Sequence, residues 1–241
     1  YKRQEEYSPG ILIEEEISKI NIKNYANKDL EDSFLWVVVK GSDSRITALS
    51  LGQIESKKWT INSVELKNIK YPARLIAVEV YEPSSEDNSK PFELNLSSIE
   101  LVNSNNNLVK TIPFDKSLNW TELPTSEGFD STISYNSEGL ILNLGNGSTK
   151  GIRGMYLSNY DQGIPVIVNN KFIEETEIEI GEKFIFNASG SYIPMKIERE
   201  INYFSGTSEK YDSFLIADLK LLKNYMAVSY THLTLPTIAG V

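Results

Sequence analysis

The stretch Leu75-Ile-Ala-Val-Glu-Val-Tyr81 carries the strongest strand signal in this chain, because apolar and β-branched residues fill it almost without interruption. It ends before Pro83, which a central strand does not tolerate. A second apolar run, Phe34-Leu-Trp-Val-Val-Val39, ends at the turn residues Gly41-Ser-Asp43. Short runs of this composition favour strands that are buried on both faces. The first part of the chain is therefore predicted to be built from β-structure.

Further short segments around these two runs alternate apolar and polar residues with the period of a strand. They are Ile46–Leu51, Trp59–Ile61, Val64–Leu66, Phe92–Leu96 and Ile99–Val102. Short strands at a spacing of about ten residues, with turn residues between them, are typical of a β-sandwich. We therefore predict a mainly β protein whose first domain, residues 1–112, is a sandwich.

The polar segment Asn103–Asn107, followed by Pro113, predicts a domain boundary. We place the second domain at residues 113–227. Its first part is expected to be a loop-rich connection over residues 120–132, followed by a hairpin of Ile133–Tyr135 and Leu140–Leu144.

The rest of the second domain has an α+β pattern. Ile164–Val168 reads as a strand, and either Asn169 or Asn170 can cap a helix that ends at Thr176. Three strands follow, and Asp218 then caps an amphipathic helix with Leu219, Leu222 and Tyr225 on its inner face. The predicted order of elements is β-α-β-β-β-α.

Composition limits the classes of function. The chain has 241 residues, 40% of them hydrophobic, and a formal net charge of -9, which disfavours a nucleic-acid partner. Cysteine is absent, which excludes disulfides, thiolate catalysis and cysteine-ligated zinc. No run reaches the ~20 apolar residues that span a bilayer. Because the chain begins with Tyr1 and not Met, we expect it to be part of a longer gene.

The segment Val228-Ser-Tyr-Thr-His-Leu-Thr-Leu-Pro-Thr237 resembles the translation of the transposase adapter used to prepare DNA sequencing libraries. The resemblance implies that the gene runs past the end of a short assembled DNA sequence near Met226 and that residues 228–241 are a non-native tail. His232, which lies in this segment, is the only histidine. Without it the chain has no imidazole for a general base or a metal ligand.

The second domain also carries a family resemblance, over residues 151–226. Ile164–Ile173 with Ile180-Gly-Glu-Lys-Phe184, and Ile193–Ile197 with Phe214–Leu219, are similar to the extracytoplasmic core of FtsX-like ABC-transporter permeases of the MacB type. Ser205, which follows Phe204, departs from the proline expected there. In the first domain, the segments Leu49–Gly52, Lys58-Trp59 and Ile76–Val80 resemble a galactose-binding-like jelly roll, a module that some large permeases carry inserted in their external region.

The resemblance implies a segment outside the cell membrane that relays movement of membrane helices to a substrate or partner. It implies an ABC ATPase subunit as a partner through membrane helices, and an extracytoplasmic protein or glycan as a further partner, with no cofactor. The alternative is a carbohydrate-binding module of a secreted or surface glycan-active protein.

Candidate sites are few. Trp36, Trp59 and Trp120 could stack on sugars, but Trp36 is expected in the core. Trp59 belongs either to the core or, because Lys57 and Lys58 precede it, to the surface, and it is the candidate ligand contact. Asp43 or Asp87 could help to hold calcium, although no EF-hand spacing accompanies them. The Glu14-Glu-Glu16 run predicts a solvated surface. The glycine segments 145–148 and 151–154 do not fit a phosphate loop and are expected to be turns. We therefore assign no catalytic, cofactor or metal residue and expect no enzyme activity.

Overall fold

The structure is a computed structural model, and it describes residues 10–28, 33–82, 88–89, 91–124, 131–145, 147–148, 152–157, 163–188, 191–204 and 212–229. The described chain is mainly β-structure with two helices. It divides into two compact units between residues 157 and 163. The prediction of a mainly β chain with a sandwich followed by a small α+β part is confirmed.

The first unit consists of strands joined by turns and loops. Its described strands are β1 (Ile11–Ile13), β2 (Lys19–Ala26), β3 (Phe34–Lys40), β4 (Ile46–Gln53), β5 (Thr60–Glu65), β6 (Ala73–Tyr81), β7 (Asn88–Ser89), β8 (Phe92–Val102), β9 (Leu108–Pro113), β10 (Trp120–Glu122), β11 (Thr132–Asn136), β12 (Gly139–Leu144), β13 (Gly147–Ser148) and β14 (Ile152–Leu157). The short strands β7 and β13 pair with each other.

The other strands form two antiparallel sheets. The first sheet has the order β10-β14-β6-β3-β4, with β1 beside β6. The second has the order β11-β12-β8-β2-β5, with β9 beside β8. The chain passes repeatedly from one sheet to the other, so strands that are adjacent in sequence often lie in opposite sheets. This alternation gives the sandwich its jelly-roll-like character.

One hydrophobic core lies between the two sheets because each strand turns alternate side chains inward. Leu35, Val37 and Val39 of β3 belong to this core, as do Ile20 and Ile22 of β2. These five side chains are fully buried. The strands β6 and β3, which the sequence identified most clearly, lie in the middle of the first sheet, where neither has a free edge.

The sandwich continues past residue 112, where we placed its end. β10 and β14 belong to the first sheet, and β11 and β12 belong to the second. The polar segment 103–107 is the turn between β8 and β9 and not a boundary, since Asn103 accepts hydrogen bonds from the backbone of Asn105 and Asn107 at 3.0 Å. The strands after residue 112 pair with β6 and β8 and complete both sheets. The first unit therefore extends to residue 157.

Three local predictions need correction. Residues 147–148, which we expected in a turn, form β13 and pair with β7. Residues 152–154, which we expected in a turn, open β14. Gly154 suits this strand because a Cβ there would lie 2.5 Å from the carbonyl oxygen of Val78 on β6. Residues 120–122, assigned to a loop, form β10 and pair with β14. The hairpin of β11 and β12 is confirmed, with Tyr135 opposite Leu140.

The second unit combines one sheet with two helices. Its described elements are β15 (Ile164–Val168), α1 (Asn170–Thr176), β16 (Lys183–Ala188), β17 (Ser191–Glu200), β18 (Leu215–Ala217) and α2 (Leu219–Ser229). The sheet order is β16-β17-β15-β18, and only the pair of β15 with β17 is parallel. The predicted order β-α-β-β-β-α is confirmed.

Asn169 organises the start of α1. Its side-chain oxygen accepts hydrogen bonds from the backbone N–H groups of Phe172 at 3.2 Å and Phe214 at 3.1 Å. Its amide donates to the carbonyl of Asp212 at 2.8 Å. Asn169 is therefore the helix cap, and it also anchors the segment that enters β18.

The last helix begins as predicted but buries fewer residues than expected. Asp218 accepts from the backbone N–H groups of Lys220 and Leu221 at 2.7 and 3.1 Å. Tyr225 is buried and Leu222 is half-buried, whereas Leu219 is exposed. None of the described helices is long and apolar enough to cross a membrane. The first two residues of the tail predicted at 228–241 continue α2, and the rest of that tail lies outside the described residues.

Candidate functional site

Trp59 lies at the surface of the sandwich, immediately before β5. It is 36% exposed, and its ring lies 5.7 Å from that of Tyr25 on β2. The ammonium group of Lys23 lies 5.3 Å from the centre of the Trp59 ring, within the range of a cation–π interaction. We call these three residues the aromatic patch. The role of Trp59 as a ligand contact stays a prediction.

The other two tryptophans differ from each other. Trp120 is buried and packs on Phe114 with ring centres 5.5 Å apart, inside the core. Trp36, which we expected in the core, is half-buried on the outer face of β3, because its neighbours Leu35 and Val37 turn inward. Its ring meets Tyr81 edge-on at 6.2 Å.

An open depression lies where β2 and β12 end and β8 begins. We call it the end depression, and its volume is about 480 Å³. Its lining includes Asn27, Lys28, Phe92, Glu93, Asn143 and Gly145. Phe92 is buried, whereas Asn27, Lys28 and Glu93 are exposed. The depression therefore combines an apolar floor with a polar rim and is largely open to solvent.

The rim is held by hydrogen bonds across β2 and β8. Asn27 donates from its amide to the Glu93 carboxylate at 2.9 Å and accepts the Glu93 backbone N–H at 2.9 Å. Lys28 donates to the Pro91 carbonyl at 3.2 Å. These residues are 66 and 63 positions apart along the chain, so only the pairing of the two strands brings them together.

Arg153 lies behind the end depression and joins the two sheets. Its side chain is 1% exposed, and one guanidinium nitrogen lies 2.5 Å from the carboxylate of Glu82, which follows β6. Another donates to the Gly145 carbonyl at 2.6 Å, and the guanidinium lies 5.3 Å from the centre of the Phe92 ring. Ser33 donates to the other oxygen of Glu82 at 3.3 Å. Arg153 therefore supports two residues of the lining, Gly145 and Phe92.

Sequence reasoning missed this cluster. Arg153 was noted only as part of a glycine segment, and Lys28 and Glu93 look like ordinary surface charges. The one available signal was an arginine inside an otherwise apolar stretch that ends at Leu157, since an arginine is rarely buried without a partner.

The acidic side chains that the sequence analysis singled out do not form a second candidate site among the described residues. Glu14, Glu15 and Glu16 are exposed, as predicted. Asp43 accepts the backbone N–H of Arg45 at 3.0 Å in the turn after β3, and Asp87 lies outside the described residues. Within the described ranges, no three histidine, aspartate or glutamate side chains converge as metal ligands would.

Comparison with known proteins adds no identification: no protein-family model matches the chain, and neither curated proteins nor solved structures give a match.

Proposed function

We propose that this chain is the extracytoplasmic part of an FtsX-like ABC-transporter permease, which relays movement of membrane helices to a substrate or partner outside the membrane. The observation that carries the proposal is the order of elements in the second unit, β15-α1-β16-β17-β18-α2. The family resemblance of residues 151–226 implies this order. The resemblance also implies an Asp-capped last helix, and Asp218 caps α2.

A domain that relays movement of membrane helices must itself move without deforming. Densely packed β-structure transmits strain because its interior has little free volume. The core between the two sheets, with Leu35, Ile20 and Leu94 fully buried, meets this requirement in the first unit. Ile193, Met195 and Ile197 of β17 are buried in the second unit. The sandwich then serves to present a surface to the partner.

The deciding experiment is to recover the intact gene by long-read sequencing. The proposal predicts apolar segments of membrane-spanning length before Tyr1 and after Met226, and a gene or domain for an ABC ATPase beside them. A gene that instead encodes a secretion signal and a glycan-active catalytic domain contradicts the proposal.

The proposal also assigns no reaction to the chain. We expect the purified protein to show no turnover in a screen of glycan, peptide and ester substrates. Turnover that survives purification and disappears with one point substitution contradicts this assignment.

A second candidate function is a carbohydrate-binding module, and the aromatic patch favours it. Exposed aromatic rings stack on the apolar faces of sugars, and Trp59 with Tyr25 offers such a surface. The test is affinity electrophoresis of the chain in gels that contain soluble polysaccharides. This function predicts retardation that Trp59→Ala removes. Ile61→Ala is the matched control, because Ile61 is also exposed and pairs with Lys23. Equal retardation of both variants contradicts the role of Trp59.

A further inference from the structure

We propose that the second unit docks on a second copy of this chain through two surfaces of opposite charge. The basic face is one side of its sheet, where Lys183, Lys196 and Arg199 lie among apolar side chains. The acidic segment is residues 174–182, in α1 and the turn that follows it. The proposal concerns surface side chains and does not depend on the permease proposal.

Strand register places two lysines side by side on the basic face. Met195 of β17 is buried, so the next residue, Lys196, points to the opposite side of the sheet. Lys183 of β16 and Pro165 of β15 are the register partners of Lys196. Like charges in directly opposite positions repel each other, so this arrangement favours a negatively charged surface above the two lysines.

The neighbouring row of the basic face adds a third cation and apolar area. Ile167 of β15 lies between Arg199 of β17 and Ile216 of β18. Arg199 is exposed, and the two isoleucines are half-buried. Glu198, the extra residue of β17 where the register shifts, is also exposed. In these two rows, three cations therefore stand against one carboxylate.

The acidic segment has the complementary composition. Its acidic residues are all exposed, and they are Glu174, Glu175, Glu177, Glu179 and Glu182. Ile180 lies among them and is 55% exposed. Glu175 pairs with Lys171 at 3.5 Å, but the segment itself contains no basic residue. It therefore combines negative charge with an exposed aliphatic side chain.

The acidic segment does not reach the basic face of its own copy. Phe172 of α1 packs on Phe184 with ring centres 5.8 Å apart, and Phe184 and Lys183, as neighbours on a strand, point to opposite sides of the sheet. The turn after α1 is tied to β17 by a hydrogen bond of 2.8 Å from the Gly181 N–H to the Ile197 carbonyl. The two surfaces can therefore meet only between copies.

Charge and apolar contact have different roles in this docking. Exposed ion pairs add little stability by themselves, but complementary charges steer association and select the orientation of the partners. Removal of Ile180, Ile167 and Ile216 from water adds a favourable apolar contribution. The association is therefore expected to depend on salt.

The test is sedimentation velocity of the 241-residue chain at rising protein concentration. It is carried out in about 0.1 M and about 1 M salt, where the Debye length is about 10 Å and about 3 Å. We expect self-association with a dissociation constant of about 100 μM or below in the lower salt. The higher salt is expected to weaken it about tenfold, because it screens the charges.

Charge reversal identifies the two surfaces. The basic-face variant carries Lys196→Glu and Arg199→Glu, and the acidic-segment variant carries Glu175→Lys and Glu179→Lys. Each variant alone is expected to associate about tenfold more weakly or less, because like charges then face each other. An equimolar mixture of the two variants is expected to associate again, since each variant carries the charge that the other has reversed.

The matched control carries Lys58→Glu and Lys67→Glu, at exposed positions of the first unit. It changes the net charge as much as the basic-face variant does, and we expect it to associate like the unaltered chain. Thermal midpoints verify folding, and Arg199→Glu alone, at an exposed position, replaces a basic-face variant that does not fold. The proposal is overturned if the chain stays monomeric in the lower salt, if the control weakens association equally, or if the mixture does not associate.

Discussion

Arg153 and Glu82 form a nearly buried ion pair between β14 and the end of β6, with 2.5 Å between the guanidinium nitrogen and the carboxylate oxygen. The side chains are 1% and 13% exposed. Such a pair adds little net stability compared with a hydrophobic pair, but removal of one partner leaves the other charge without compensation in a poorly solvated place. The pair also determines where Gly145 and Phe92 lie, through the other contacts of Arg153.

Replacement of Arg153 by Met is expected to destabilise the protein by about 3–5 kcal/mol, because the Glu82 carboxylate loses its partner. Urea unfolding followed by circular dichroism measures the change. The matched control is Lys67→Met, which breaks an exposed ion pair with Glu65 of 3.0 Å and is expected to leave the stability almost unchanged, because solvent screens the pair. Equal losses in the two variants contradict the structural role of Arg153.

Replacement of Asn169 by Ala is expected to cost about 2–4 kcal/mol, since it removes the helix cap and the hydrogen bonds to the Phe214 N–H and the Asp212 carbonyl. Asn170→Ala is the control. The exposed Asn170 donates to Glu174 on the same helix at 2.6 Å, so a loss of about 0.5 kcal/mol or less is expected. A larger loss from Asn170→Ala would show that the cap is misassigned. Thermal unfolding of the two variants in parallel decides the point.

The extent of the first unit is tested by truncation. A fragment of residues 1–159 is expected to fold by itself, because it contains every strand of both sheets. A fragment of residues 1–112 lacks β11, β12 and β14 and leaves edges of β8 and β6 unpaired, so we expect it to aggregate or to remain unfolded. Dispersed NMR spectra from the shorter fragment contradict this boundary.

The carboxyl group of Asp115 is expected to titrate below its ordinary value. The Ser117 hydroxyl, and then the Ser117 backbone N–H at 2.8 Å, donate to it and hold its pKa down. Because the pKa is lowered in the folded state, the stabilisation is present above the unfolded pKa and is lost as the pH falls through the folded pKa. Ser117→Ala is expected to raise the pKa of Asp115 in an NMR titration. Ser63→Ala, whose hydroxyl donates to Asn21 instead, leaves it unchanged, and an equal rise in both variants contradicts the assigned cause.

Prediction was most successful where neighbouring residues decide the structure. β3, β6 and the hairpin of β11 and β12 follow from apolar runs and alternation, and the cap Asp218 follows from residue type and position. The sequence offered Asn169 or Asn170 as the other cap, and the structure selects Asn169. It failed at β10 and β14. β10 has three residues, and β14 contains Arg153 and Gly154, so neither shows a strand pattern, and each forms a strand because an edge of the sheet is available beside it.

The candidate sites divide in the same way, into one that the local sequence indicates and one that depends on the pairing of distant strands. The sequence left Trp59 open between the core and the surface, because two lysines precede it, and the structure places it at the surface. The end depression could not be selected in this way. Lys28, Glu93 and Asn143 belong to three strands or their ends, and no local pattern links them.

The amino-acid sequence by itself determined the β-character of the chain, the α+β order of its second unit and the cap Asp218, and it narrowed the other cap to Asn169 or Asn170. These properties depend on side-chain periodicity and on hydrogen bonds between residues that are close along the chain. Only the tertiary structure decided that the sandwich ends after β14, that Arg153 is buried against Glu82, and that Asn27 meets Glu93. The physical reason is that these contacts depend on which strands pair, and the pairing is chosen by burial of the whole core between the sheets and not by any single segment.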